Sequence, residues 1–532
     1  MLSFGETRIR FKQWRKDNRH WLIAIIVLLL LVILFPVIMF VRAAVVPDKK
    51  ASATPTPTLS TSVGVPDRLG EFKAPNGDII GVNDGSYPPF DSWHDKQELN
   101  LKQQASVALH NGDRAGAGSL WRSALKLDSS DAEALIYLEN QHVLESGKPY
   151  ITLVVGVDFV NADDPSAQRQ LQGVYVAQHE YNAGSSAFDL RILIAASGHE
   201  VTYVNMIAHQ IAQIADKDKT VVGMIGWLTS SRSHEALSTL AGAKIPQVSP
   251  QASDDGLTHA SPYFFRVVPP NKVQAREAAQ FAEQTLKVKN PVVFLDPKDN
   301  YSQNLAQDFE DQFVKDGYPR PHEETFMTDK NANFFSLIQD AKKYNPDAFY
   351  FTSASNGDTG SFQDALPTSG PLAGIPVVSG DAGYVAHKNS YNRWYFTDFA
   401  YPDEWSLVVR KDYPPFFQDY SADFNPDGQK PGGYYGYSRA DDHAILSYDA
   451  ASVLLAGVQQ ALAQGKTMPT AQDVANALPQ ITGDQAFQGV SGQIAFDTNH
   501  DPADKAVVFL YTSADGHLQM KSVQGCFIKG CP

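Results

Sequence analysis

From Tyr150 to about residue 381 the sequence alternates short apolar runs with amphipathic stretches, and this rhythm restricts the fold more than any other feature. ITLVVGVDF precedes QLQGVYVAQHEYNAG, which Gly184 closes as a helix cap. DLRILIAAS precedes VNMIAHQIAQIAD, VVGMIGW precedes a helix after Ser231 (HEALSTLAGA), and KIPQVSP ends the first set. A second set begins near Pro270: VQAREAAQFAEQTL, PVVFLDP, NLAQDFEDQFVKDG, EETFMT, FSLIQDAKKYN, DAFYFTS and IPVVSGD. Strands alternating with helices of this length call for parallel sheets with right-handed crossovers, and two sets in series imply two α/β lobes. An aromatic, Pro-rich stretch (396–437), a long helix from Asp441 to Gln464 and the strand-rich tail SGQIAFD and AVVFLYTSADGHLQM complete the chain.

The N-terminal part is organised differently. Trp21 to Val41 is a run of 21 residues without a charge, about 31 Å as a helix, which matches a hydrocarbon core of about 30 Å. Six basic residues precede it (Arg8, Arg10, Lys12, Arg15, Lys16, Arg19), which places the basic tail 1–20 in the cytoplasm and residues 43–532 outside. A cleaved signal peptide is the competing reading, but its apolar region is typically only about 7–15 residues, so a retained single-pass anchor is expected. Residues 42–94 read as a Pro/Thr-rich stalk (PDKKASATPTPTLSTSVGVP, 47–66) followed by an irregular segment with turn signals and no clear period. Residues 95–147 carry small and apolar residues at spacings similar to a tetratricopeptide helix pair plus the first helix of a next repeat, with a plain helical hairpin as the alternative. One repeat and a half cannot bury its own face, so it is expected to pack on the domain that follows or on a partner.

Charge excludes some partners. Of the net charge of -15, residues 1–50 contribute +6, leaving -21 on the remainder, and so acidic a body disfavours nucleic acid. Cys526 and Cys531 are the only cysteines; they permit a small C-terminal disulfide loop and are too few for a zinc site. Enzyme signatures are missing. GWLTSSR lacks the GxSxG of a nucleophile elbow, and ALAQGKT has Gln460 where a phosphate loop needs its first glycine. The two His-Glu pairs (His199, His234) lack the second histidine of a zinc protease, and DTNHDP lacks the glycine and bidentate acid of a calcium loop. No enzyme activity, cofactor or metal is expected.

QLQGVYVAQHEYNAG, SPQASDDGLTHASPYFFRVVPPNKVQAREAAQF, FLDPKDNYSQNLAQDFEDQF and GVSGQIAFDTNHDP resemble, in order, the type I periplasmic solute-binding proteins. The resemblance is strongest to the branched-chain amino acid (Leu/Ile/Val) binding proteins of ABC importers. It implies two parallel-sheet lobes joined by a hinge within 150–532, with lobe 1 about 150–268 and 403–488 and lobe 2 about 269–402 and 489–532. It further implies a ligand clamped between them, in keeping with ligand sites beyond the carboxyl ends of strands. The residues it carries over are Thr229, Ser230 and Ser231 after the third strand and Ala252 and Ser253 in SPQAS, for a ligand carboxylate. From the second lobe come Tyr301 in DPKDNY and Asp381 in VVSGD, the latter for an ammonium, with Thr352, Ser353 and Ser355 on a lining loop. Phe159, Trp227 and Arg232 are candidate pocket-lining residues. Helix capping is the competing role for Thr229 to Ser231, and a solvated loop acid for Asp381. The expected function is an anchored, extracytoplasmic solute-binding protein holding a small polar molecule such as an amino acid, with an ABC permease or a signalling partner. The alternatives are a sensor ectodomain and a non-binding structural or wall-associated protein.

Overall fold

The computed structural model describes residues 68–92, 95–159, 165–328, 330–425 and 439–530. The segment expected to be irregular begins with a hairpin. β1 (Gly70–Lys73) and β2 (Ile79–Asn83) pair antiparallel around Asn76-Gly77. Gly77 supplies the positive φ the turn requires, 102°. At Gly81 a Cβ would lie 2.3 Å from the Gly70 carbonyl oxygen, so only glycine lets the strands approach there. Strands of four and five residues are too short for their alternation to stand out among the surrounding turn residues. That is why sequence reasoning missed them.

Residues 96–146 form three helices, α1 (Lys96–His110), α2 (Arg114–Leu125) and α3 (Ala132–Ser146), each started by an aspartate cap: Asp95, Asp113 and Asp131. α1 packs on α2, and α3 packs on the lobe that follows. Trp121, Ala117, Ala134 and Tyr137 are fully buried and join the same apolar core as the strands beyond Tyr150.

Lobe 1 continues with β3 (Tyr150–Val157), α4 (Ser166–Ala183), β4 (Asp189–Ala196), α5 (Val204–Lys217), β5 (Val221–Ile225), α6 (Ser230–Gly242), β6 (Gln247–Ser249) and β7 (Phe264–Arg266). The sheet order is β1-β2-β4-β3-β5-β6-β7. β4, β3, β5, β6 and β7 run parallel, while β2 joins β4 antiparallel. β4 is buried along its whole length, as a strand covered on both faces must be. Lobe 2 runs through α7 (Asn271–Gln284), β8 (Pro291–Leu295), α8 (Asn300–Lys315), β9 (His322–Thr325), α9 (Phe334–Ala341), β10 (Ala348–Phe351), α10 (Asn356–Ala365), β11 (Val377–Ser379) and β12 (Trp394–Asp398). The chain then returns to lobe 1 with α11 (Phe416–Phe424), α12 (Asp442–Ala463) and α13 (Ala471–Ala477), and β13 (Phe487–Gly489) and β14 (Gly492–Ile494) form a hairpin. β15 (Val507–Thr512) and β16 (Leu518–Gln524) close the second sheet, ordered β16-β15-β12-β11-β10-β8-β9, with β15 antiparallel to β12.

α12 lies against α4, and Gly173 makes this contact: a Cβ there would stand 2.0 Å from the Ala444 carbonyl oxygen. The chain passes between the lobes at 267–270, 399–415 and 495–506. A buried ion pair, Arg266 Nε to Asp501 Oδ1 at 2.6 Å, joins the end of β7 to the last of these crossings. Among the described residues no helix is long and apolar enough to cross a membrane. Trp21 to Val41 lies outside them, as does Cys531, whereas Cys526 is buried and carries no free thiol.

Candidate ligand cleft between the lobes

The carboxyl ends of β3, β5 and β6 face those of β8, β10 and β11 across a cleft with about 750 Å³ of space, part of it open to solvent. Lobe 1 lines it with Asp158, Leu228 to Ser231, Gln251, Asp442 and His443. Lobe 2 contributes Asp299, Tyr301, Ala354, Asn356, Asp381 and Tyr384. Parallel strands hand over to helices at this edge, so loop residues and helix N-termini converge on it.

The hydroxyl trio sits where β5 gives way to α6. Thr229 occupies the N-cap position, yet its side chain makes no capping bond. Ser230 Oγ accepts from the Asp254 N–H at 3.1 Å, so this hydroxyl braces the neighbouring loop. Ser231 Oγ donates across the cleft to Asp299 Oδ2 at 3.4 Å. The first turn of α6 therefore keeps N–H groups without a side-chain acceptor, directed at the cleft with the positive end of the helix dipole.

On the other side, Tyr301 stands in the first turn of α8, capped by Asp299, whose Oδ1 accepts from the Ser302 N–H at 2.8 Å. The Tyr301 hydroxyl donates to Asp381 Oδ1 at 2.8 Å, and Gln274 Nε2 donates to the same oxygen at 2.7 Å. Gly380 allows this arrangement: a Cβ there would be 2.3 Å from the Tyr301 hydroxyl and 2.7 Å from Gln274 Oε1. Burial pushes the Asp381 carboxyl up to about 7; the Tyr301 hydrogen bond opposes the shift and the Asp442 charge adds to it. Burial likewise raises Asp299. Asp398, fully buried behind the site, is held well above the carboxylate range by burial and by the charges of Asp442 and Asp381. Asp442 accepts from Gln251 Nε2 at 2.5 Å and faces His443 Nδ1 at 3.0 Å.

Five of the sequence-predicted residues meet here: Thr229, Ser230, Ser231, Tyr301 and Asp381. The others lie off the cleft. The Ala252 N–H is taken by Ser249 Oγ at 3.1 Å, so it is not available to a carboxylate, and Ser253 is fully buried beside it; Gln251 lines the site in their place. Ser353 Oγ accepts from the Ser355 N–H at 3.1 Å, Ser355 caps α10 and Thr352 bonds to Ser302, leaving Ala354 and Asn356 to face the ligand space. Trp227 is fully buried in the apolar cluster of Val154 and Met224, because an indole gains most where water is excluded from its whole face. Arg232 does not line the cleft itself; it pairs with the cleft-lining Asp158 at 2.9 Å and bonds the Ser197 hydroxyl and His199 carbonyl beyond β4. Phe159 packs half-buried against the lobe 1 core.

Sequence reasoning missed Asp158, Gln251, Asp299, Asp442 and His443. Asp299 stands two residues before Tyr301, and Asp442-His443 opens the long predicted helix, so helix-start acids were the available signal. Asp441, Asp442 and His443 bring their ligating atoms within 4.8 Å of one another. They are already engaged: Asp441 caps α12 and faces Arg169 Nε at 3.6 Å, and Asp442 holds Gln251.

The architecture is similar to solved solute-binding proteins. A leucine-binding protein of Thermotoga maritima matches with a TM-score of 0.58 at 20% identity, covering 70% of this chain and 99% of its own. A solute-binding protein of R. palustris in complex with benzoate matches with a TM-score of 0.57 at 14% identity, over 72% and 98%. A fatty acid ABC transporter substrate-binding protein of Thermomonospora curvata matches with a TM-score of 0.59 at 12% identity, over 72% and 93%. No curated protein matches. At these identities the likeness establishes the fold, while the sequence profile described as "Periplasmic binding protein" matches residues 204–517, more than half of the chain. The chain belongs to the periplasmic binding protein family.

Proposed function

We propose that this protein is the solute-binding component of an ABC-type importer and closes its two lobes on a small polar molecule, an amino acid or a related amine. The observation that carries this reading is the cleft, which both lobes line with polar groups. The structurally similar proteins are solute-binding proteins for leucine, benzoate and fatty acid, which supports the role and leaves the ligand to be read from the side chains. The binding mechanism is a shift from open to closed lobes, favoured by a ligand that touches both. The apolar run 21–41 is proposed to anchor the chain with residues 43–532 outside the cell, tethering the domain near its permease.

A ligand that binds only the folded state raises its melting temperature. Full-length protein in detergent should therefore be stabilised by members of a panel of amino acids, amides, amines and aromatic acids. Asp381→Ala should remove the response to amine-bearing members. A panel without any response, or an unaltered variant, sinks the reading. Protease added to intact cells should digest residues 43–532, and protection of that region would refute the proposed topology.

A further inference from the structure

The lining of the cleft is unbalanced in charge and in hydrogen-bonding capacity. Asp158, Asp299, Asp381 and Asp442 line it, with His443 as the one basic side chain and no lysine or arginine among the described lining residues. Asp158 is compensated by Arg232 at 2.9 Å, and Asp442 faces His443 at 3.0 Å. Among the described residues neither Asp299 nor Asp381 forms an ion pair, and His443 acts on Asp381 only as a nearby charge. Asp381 is 9% exposed; Tyr301 and Gln274 bond to its Oδ1, its own backbone N–H also bonds to the carboxylate, and among the described residues no further side chain donates to it. Several donors around the cleft are already spent inside the protein: the Tyr301 hydroxyl on Asp381, Gln251 Nε2 on Asp442 and the Ser231 hydroxyl on Asp299. A bound molecule that supplies N–H donors and positive charge complements these acids, since a desolvated carboxylate is favoured in its ionised form by a cation beside it.

The same geometry works against a ligand carboxylate. The free N–H groups at the start of α6 are where an anion would dock, but the Asp299 carboxylate reaches that point, 3.4 Å from Ser231 Oγ. An incoming carboxylate would meet a resident one of like charge.

Resting on the solute-binding reading above, we infer that the cleft selects a ligand of net positive charge, with ammonium or guanidinium groups facing Asp381 and Asp299, the two acids that lobe 2 presents to it. Aliphatic diamines and basic amino acids share this chemistry.

The test is a melting-temperature and calorimetry series on dialysed full-length protein with 1,4-diaminobutane, lysine, arginine, leucine and benzoate. Lysine, arginine or the diamine should bind at least roughly tenfold more tightly than leucine or benzoate, as expected for charge-assisted pairing with a desolvated carboxylate. A diamine preferred over lysine assigns the site to amines without a carboxylate; the reverse assigns it to basic amino acids. Asp299→Asn keeps the α8 cap, because asparagine caps as well as aspartate. It should weaken the cation roughly tenfold and leave leucine no weaker. Should that variant fail to fold, the wild-type ranking decides. Tighter binding of leucine or benzoate overturns the inference and leaves the solute-binding reading standing. No response from any of the five overturns the inference, and no response across the wider panel overturns both.

Discussion

At the scale of single residues, the site depends on a glycine that carries no chemistry. Gly380 has an ordinary negative φ, so its requirement is purely steric: a methyl group would enter the space held by the Tyr301 hydroxyl and Gln274 Oε1. Gly380→Ala is expected to break the Tyr301–Asp381–Gln274 arrangement and to reduce ligand-induced stabilisation by about half or more. Crowding a packed site costs about 1–3 kcal/mol, so the folded state should survive, as far-UV circular dichroism would show. A variant responding to ligand as wild type would mean that the arrangement plays no part in binding. Asp381 itself was legible only through the family pattern, since an isolated acid after a short strand is usually a solvated loop residue. Its burial came from the fold.

At the scale of elements, α1 to α3 belong to lobe 1. Asn140 on α3 is buried; its Nδ2 donates to the Ile192 carbonyl at 2.7 Å, and its Oδ1 accepts the Ile192 N–H at 2.9 Å. Asn182 on α4 does the same for Leu190. β2 pairs only with Ile194 to Ala196, so these amides satisfy backbone of β4 that the hairpin leaves uncovered. Lys102 on α1 is fully buried, with Nζ 2.6 Å from Asp131, 3.0 Å from Glu133 and 3.8 Å from Glu98. Glu133 in turn accepts the N–H groups of Phe90 and Asp91, which ties the segment before α1 to α3. Lys102→Met would strand these carboxylates in the interior at a cost of about 3–5 kcal/mol. Urea denaturation should show that loss at pH 7, and part of it should return at lower pH as Glu133, which burial already raises, takes up a proton. A loss below about 1 kcal/mol would show that the cation does not hold the helices.

At the scale of the whole molecule, buried acids set the response to pH. Asp381 is pushed up to about 7 and Glu404 up to about 8, in both cases first by burial. Both titrate near 4 in an unfolded chain. Between these limits the folded state holds protons that the unfolded chain has released, so stability is greatest below about pH 4 for these groups and falls as pH rises through 7 and 8. The melting temperature of ligand-free protein should drop by roughly a few degrees between pH 5 and 8.5. Asp381→Asn should flatten part of that slope. A flat or rising curve would contradict the burial of these groups. The charges acting on Asp381 are Asp442 and His443 from α12, with the Tyr301 hydroxyl and Gln274 amide bonded to it. A cation bound beside it should therefore stabilise the protein more at pH 8 than at pH 6.

The sequence by itself determined the two α/β lobes, because alternating strand and helix periods allow few other arrangements. It also placed the hydroxyl loop and Tyr301 at strand-to-helix junctions, where parallel sheets gather ligand contacts. It did not show the β1–β2 hairpin, whose strands are too short to carry a period. Nor did it show that Arg232 pairs with Asp158 or decide between core and pocket for Trp227, since direction of a side chain depends on which neighbour buries it. The charge of the cleft was decided by tertiary structure alone: Asp158, Asp299, Asp381 and Asp442 are far apart in the chain, and only the packing of two lobes brings their carboxylates around one space.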